Sequence, residues 1–121
     1  MTRINCGIPP AELTSKHLLA EHREIKRIPN VVRKRKIDVK QIPNQFKLGT
    51  GHVKFFYNKL FYLHKRYNEI HQECLQRGFK VTNFNSSFED IPLYLYGDYT
   101  PTEKDKSIVR DRINQRLGIL G

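Results

Sequence analysis

Apolar side chains recur at spacings of three and four through Val53, Phe56, Leu60, Leu63, Tyr67, Ile70 and Cys74. That is the period of one face of an α-helix, and Gly78 follows where a left-handed residue would end it. The spacing therefore predicts one long helix over residues 53–78 as the spine of the core. Upstream, Pro9-Pro10 suits the opening turn of a helix. A first helix is expected from there through Ala11-Glu12-Leu13 to about Ile28, stopped by Pro29-Asn30. A third is expected to start at Pro101 and to include Ile108, Ile113 and Leu117. Residues 31–44 are rich in basic side chains and close on Ile42-Pro43-Asn44, while residues 79–99 carry Asn, Ser, Asp and Pro and read as a long loop with aromatic anchors. Strand patterns are scarce and there are no repeats. The expected fold is all-α: a single compact domain over residues 1–121, with about three helices and long irregular connections.

Length and composition agree with one domain that has a modest core, since 121 residues are 38% hydrophobic and 11% aromatic. Charge changes the picture more. There are 22 Lys+Arg against 12 Asp+Glu, a formal +10. Such an excess repels itself in the folded state, so it points to a polyanionic partner, with nucleic acid first and an anionic membrane surface second. No stretch approaches the roughly 20 apolar residues needed to span a bilayer. The opening Met1-Thr2-Arg3-Ile4-Asn5 lacks the apolar core of a signal peptide. Two cysteines, Cys6 and Cys74, indicate no disulfide framework, so a reducing cytoplasm is the expected compartment. Cys74, on the apolar stripe, is expected as a buried small hydrophobe.

The basic residues are dense between His22 and Lys40: Arg23, Lys26, Arg27, Arg33, Lys34, Arg35, Lys36 and Lys40 are opposed only by Glu24 and Asp38. A solvated face is the ordinary meaning of such a run, but the whole chain shares its sign, which favours phosphate binding. On the first helix His17, Glu21 and Glu24 share one side at i, i+4 and i+7, and Glu24 is flanked by Arg23 and Arg27. A carboxylate where phosphates dock is unwelcome unless it makes a local ion pair or takes part in chemistry. Other patterns carry less. Gly49-Thr50-Gly51 is half a nucleotide-binding fingerprint, but Lys54 stands where a third glycine belongs, so a tight turn feeding the helix is the better reading. Neither His17 with Glu21 and His22, nor His71 with Cys74, has a recognised zinc spacing and a full ligand count. No metal or other cofactor is expected.

Several segments taken together carry a resemblance. The chain opens Met1-Thr2-Arg3-Ile4-Asn5, continues with His17-Leu18-Leu19-Ala20-Glu21-His22-Arg23-Glu24 and Gly51-His52-Val53-Lys54-Phe55-Phe56-Tyr57, and then shows Glu73-Cys74-Leu75-Gln76-Arg77-Gly78-Phe79. Asp90-Ile91-Pro92 and Gly97-Asp98-Tyr99-Thr100-Pro101 complete the set. In this order, over nearly the whole chain, they resemble the pyrimidine-dimer DNA glycosylases of the phage endonuclease V type, which are also apurinic/apyrimidinic lyases. The resemblance implies a DNA repair enzyme acting on duplex DNA that contains pyrimidine dimers or abasic sites. It implies that Met1 is removed and that the α-amine of Thr2 attacks the deoxyribose C1′ of the damaged nucleotide, giving an imine and then β-elimination. It further implies that Glu24 stabilises the cationic sugar and handles protons, that Arg3, Arg23 and Arg27 hold phosphates and the lesion, and that Lys34, Arg112 and Arg116 contact the backbone further out. Members of the family kink the duplex and flip the adenine opposite the lesion into a protein pocket.

An α-amine suits that chemistry because it titrates near 8, against about 10.4 for lysine, and neighbouring cations lower it further. Glu24 opposes that shift, and the cations are expected to prevail. Two departures from the best-known relatives stand out: the basic segment between Lys36 and Phe46 is shorter, and the chain closes on Gly118-Ile119-Leu120-Gly121 without an aromatic, basic tail. A monomer suits the size and charge, in the host cytoplasm if phage-encoded. The competing expectation is a basic DNA-binding module without enzymatic activity, in which the acidic residues merely trim the charge.

Overall fold

The computed structural model describes residues 2–116, and its architecture is all-α. Helix α1 spans Ser15–Glu24, α2 Arg27–Lys34, α3 His52–Phe55, α4 Leu60–Gln76 and α5 Glu103–Arg116. Single 3-10 turns lie at Pro10–Glu12, Val39–Gln41, Asn85–Phe88 and Leu93–Leu95. Among the described residues there is no strand, only an isolated antiparallel bridge between Lys59 and Tyr96. No helix among them is long and apolar enough to cross a membrane.

The spine predicted from the apolar spacing is present but broken. Residues 56–59 interrupt it, leaving the one-turn α3 before the long α4. The cause lies far away in sequence: the Gly97 carbonyl accepts the Phe61 and Tyr62 amides at 3.0 and 3.2 Å, and the Asn58 carbonyl accepts the Gly97 amide at 3.2 Å. Residue 97 must be glycine here, because a Cβ would lie 2.5 Å from the Asn58 carbonyl oxygen. The far end of α4 is as expected. Gly78 has φ +82°, and the Phe79 amide reaches the Cys74 carbonyl while the Gly78 amide reaches that of Leu75, both at 3.0 Å. This is the double bond of a left-handed helix cap.

The first predicted helix is also divided. Pro9-Pro10 opens only a 3-10 turn; α1 begins after Thr14, whose hydroxyl accepts the His17 amide as an N-cap. Pro29 does not stop a helix. It sits in the first turn of α2, where a missing amide proton costs nothing. The third helix starts after Thr102, which is paired reciprocally with Asp105 in the first turn, each side chain accepting the other's backbone amide at 3.1 and 3.0 Å. Ile108 and Ile113 pack against the core from α5, while Leu117 lies outside the described residues.

The core is built on α4 through Leu60, Leu63, Tyr67, Ile70 and Cys74, with Leu18 of α1, Ile28 and Val32 of α2, and Val109 of α5. Through it runs a segment with no regular structure: Thr2, Ile4, Cys6 and Ile8 are all buried, two residues apart. Chain ends ordinarily fray. This one is threaded into the interior.

Candidate active site

Four elements tie down the N-terminal segment. The Ile4 amide donates to His52 Nε2 of α3 at 3.0 Å. The Asn5 side-chain amide donates to Glu21 Oε1 of α1 at 2.8 Å, and its carbonyl oxygen accepts Arg112 Nη2 of α5 at 2.9 Å. From α4, the Tyr62 hydroxyl accepts the Gly7 amide at 3.2 Å, and Arg66 Nη1 donates to the Ile8 carbonyl at 2.9 Å. Arg66 also forks onto the Glu21 carboxylate through Nε and Nη2. A hydrogen-bonded line thus runs from Arg66 through Glu21 and Asn5 to Arg112, out of the core and into a surface pocket.

That pocket is small, about 60 Å³, and lies where the N-terminal segment meets α1 and α5. Arg3 and Asn5 line it from the segment, His17, Ala20, Glu21 and Glu24 from α1, and Arg112 and Arg116 from α5. Thr2 precedes Arg3 and is 8% exposed. The spacing i, i+4, i+7 does bring His17, Glu21 and Glu24 to one wall, as the helical period requires. Their environments differ. Glu21 is 1% exposed and is consumed by Arg66 and Asn5. Glu24 is partly open, with 14% of its side chain exposed, and its ion pair among the described residues is the 3.5 Å contact with Arg23. It ends α1, where the helix dipole disfavours an anion. The fold therefore gains little from a carboxylate at this position.

Cations dominate the remaining wall. Burial, followed by the nearby Arg3 and Arg116, lowers Arg112 to about 10. His17 is pushed below its usual value by burial, then by Arg112, Lys16, Arg116 and Arg3. At neutral pH its imidazole is uncharged, with Nδ1 at 2.8 Å from the Thr14 hydroxyl. The pocket thus presents one available carboxylate, one neutral imidazole and three guanidiniums. It can bind an anion and shuttle protons beside it.

The structure places Arg3, Glu24, Arg112 and Arg116 together around this pocket. It does not place Arg23, Arg27 or Lys34 in the lining: all three are exposed, on the outer faces of α1 and α2. Arg112 and Arg116, rather than Arg23 and Arg27, share this lining with Arg3. Among the described residues no three His, Cys, Asp or Glu side chains gather as metal ligands. His22 is buried instead against His71, Nε2 to Nδ1 at 3.0 Å. Sequence reasoning missed Asn5, Arg66 and His52 as organisers of the site. The available signal for Asn5 was an amide between two apolar residues, Ile4 and Cys6, both of them fully buried.

Among known protein families, the one described as pyrimidine dimer DNA glycosylase has a family model that matches residues 1–89. The match spans the N-terminal segment, α1 and α4, whereas Arg112 and Arg116 lie beyond it and join the pocket on geometry alone.

Proposed function

The chain belongs to the pyrimidine dimer DNA glycosylase family, and on that premise we propose that it is a bifunctional glycosylase and abasic-site lyase whose nucleophile is the α-amine of Thr2. In this reading Met1 is removed, and the freed amine attacks C1′ of the damaged nucleotide. The bond from C1′ to nitrogen of the enzyme forms as the bond from C1′ to the base breaks. Opening of the sugar gives an imine, a proton leaves C2′, and the 3′ phosphate departs by β-elimination. Water then hydrolyses the imine and returns the amine. Glu24 is assigned to the developing positive charge on the sugar and to the proton transfers. Arg3, Arg112 and Arg116 are assigned to the phosphates that flank the lesion, and Arg23, Arg27 and Lys34 to the backbone further out.

The observation that carries this reading is the anchoring of the chain start. Residues 4, 5, 7 and 8 are held by hydrogen bonds to four helices, beside a pocket that pairs one partly open carboxylate with three cations. A reaction that depends on orientation needs such an anchor, since a misplacement of about 1 Å can cost a hundredfold in rate. Retention of Met1 would displace the amine by about one Cα step, roughly 3.8 Å.

The test is reductive trapping. Borohydride added to the protein with ultraviolet-irradiated duplex, or with duplex bearing an abasic site, is expected to yield a covalent complex in the presence of a chelator. Glu24→Gln is expected to bind duplex with nearly parental affinity and to excise no dimers; excision at the parental rate overturns the role of Glu24. An acetylated N-terminus is expected to abolish trapping. Tight binding to any duplex, with no adduct from the unmodified protein, leaves only a basic DNA-binding module.

A further inference from the structure

The proposed mechanism uses no group on α3, yet one side chain there is built around the chain start. We infer that His52 is a positioning residue for the Thr2 amine: as a neutral imidazole it holds the N-terminal segment at Ile4, and a proton on its free nitrogen releases that hold. The inference rests on the reading of Thr2 as nucleophile and extends it to how the nucleophile is kept in place.

Hydrogen-bond partners assign the tautomer. His52 Nδ1 lies 2.8 Å from the Lys47 carbonyl oxygen, which can only accept, so Nδ1 carries the proton. Nε2 is then a bare acceptor, and the Ile4 amide donates to it at 3.0 Å. Both ring nitrogens are used, and both ends of the arrangement are buried: His52 is 3% exposed and Ile4 fully buried. Phe46 and Phe56 enclose the ring edge-on at 5.5 Å each, so it has little room to turn.

A second proton would make Nε2 a donor facing another donor. The Ile4 amide, enclosed in the core, would lose its partner, and an orphaned buried amide is costly. The surroundings keep the ring neutral. Burial acts first and lowers the affinity for a proton; Arg112 of α5 and Arg3 of the segment act in the same direction, against the Lys47 carbonyl and Glu21 of α1. The hold therefore persists at neutral pH and lapses in acid. Ile4 is two residues from Thr2, roughly 7 Å along the chain, so a shift at Ile4 reaches the amine almost undiminished.

The test has an arm that needs no catalysis. Nitrogen NMR of the labelled, intact protein is expected to show His52 with its proton on Nδ1, titrating below the ordinary histidine range, and the Ile4 amide resonance moving with the same transition. A proton on Nε2, or an Ile4 amide indifferent to the titration of His52, overturns the proposal. In the second arm, adduct formation with abasic duplex is timed in single turnovers and affinity is measured separately. His52→Phe is expected to trap about a hundredfold more slowly with affinity essentially retained. His52→Gln, whose amide oxygen can still accept the Ile4 amide, should recover part of the rate and lose the acidic limb of the pH profile. A folded His52→Phe protein that traps at the parental rate overturns the proposal, as does a loss confined to affinity. If His52→Phe does not fold, the NMR titration and His52→Gln decide. Absence of any adduct from the parental protein tells against Thr2 as nucleophile, and the NMR arm alone then judges His52.

Discussion

The carboxylate of Glu21 and the guanidinium of Arg66 meet between α1 and α4 as a two-pronged ion pair, 1% and 5% exposed respectively. Each completes its partner's needs. Glu21 also accepts from Asn5, and Arg66 also donates to the Ile8 carbonyl, so neither charge is left to the low-dielectric interior alone. Removing one member strands the other. Arg66→Met is expected to lower the unfolding free energy by about 3–5 kcal/mol, as measured by urea denaturation. It should also slow imine trapping, because the line through Asn5 to Arg112 begins at this pair. A variant of parental stability would show that the pair holds neither the core nor the chain start.

His22 gives stability a pH dependence through burial. Burial, then the neighbouring His71 and Lys26, lowers it to about 4 from an ordinary 6.5. The unfolded chain takes up a proton at this position between those two values and the native protein does not. Stability from His22 is therefore intact above pH 6.5 and is lost as the pH falls toward 4. We expect His22 to account for about 1–2 kcal/mol of the loss between pH 7.5 and pH 4.5, and His22→Gln, which can still bond His71, to flatten that part of the slope. Parallel urea titrations of both proteins at the two pH values decide it.

What could be read from the chain divides along physical lines. The all-α class, the body of α4 and its Gly78 cap arise from local period and local turn chemistry, and they are present. The interruption at residues 56–59 was illegible because it is imposed by the backbone of residue 97, nearly forty positions away. Pro29 misled because proline both ends helices and opens them, and only the packing of the residues downstream distinguishes the two cases. Within the pocket, one helical face correctly grouped His17, Glu21 and Glu24. Nothing local revealed that Glu21 turns inward to Arg66 while Glu24 stays partly open, since that depends on which residue of α4 lies opposite.

Affinity for DNA should depend steeply on salt. If about six phosphates are neutralised, binding weakens roughly a thousandfold between 50 and 200 mM salt. Arg23, Arg27 and Lys34 are exposed, outside the pocket lining. Replacing Arg27 or Lys34 with glutamine should reduce the slope of log affinity against log salt by about one and leave the trapping rate at saturating DNA unchanged. Arg112→Gln, by contrast, should slow trapping even at saturation, because its partner is Asn5 of the N-terminal segment. Fluorescence anisotropy over a salt series, paired with single-turnover trapping, separates the two classes.

Gly97→Ala tests the break in the spine. The added methyl would sit 2.5 Å from the Asn58 carbonyl oxygen, and backbone rather than a flexible side chain must yield. A cost of about 1–3 kcal/mol is expected, seen as a lower melting temperature, together with faster exchange of the Phe61 and Tyr62 amides that open α4. An unchanged melt with protected amides would mean that the junction tolerates a wider separation.

Burial lowers Arg112 to about 10, and the like charges of Arg3 and Arg116 beside it act in the same direction. Folding by itself thus brings together like charges that would sooner stay apart, and the protein carries this repulsion until a counter-charge arrives. A phosphodiester seated among the three guanidiniums would cancel it, which would link strand capture to the stability of the fold. The free protein thus keeps a cluster of like charge that an anionic strand would relieve.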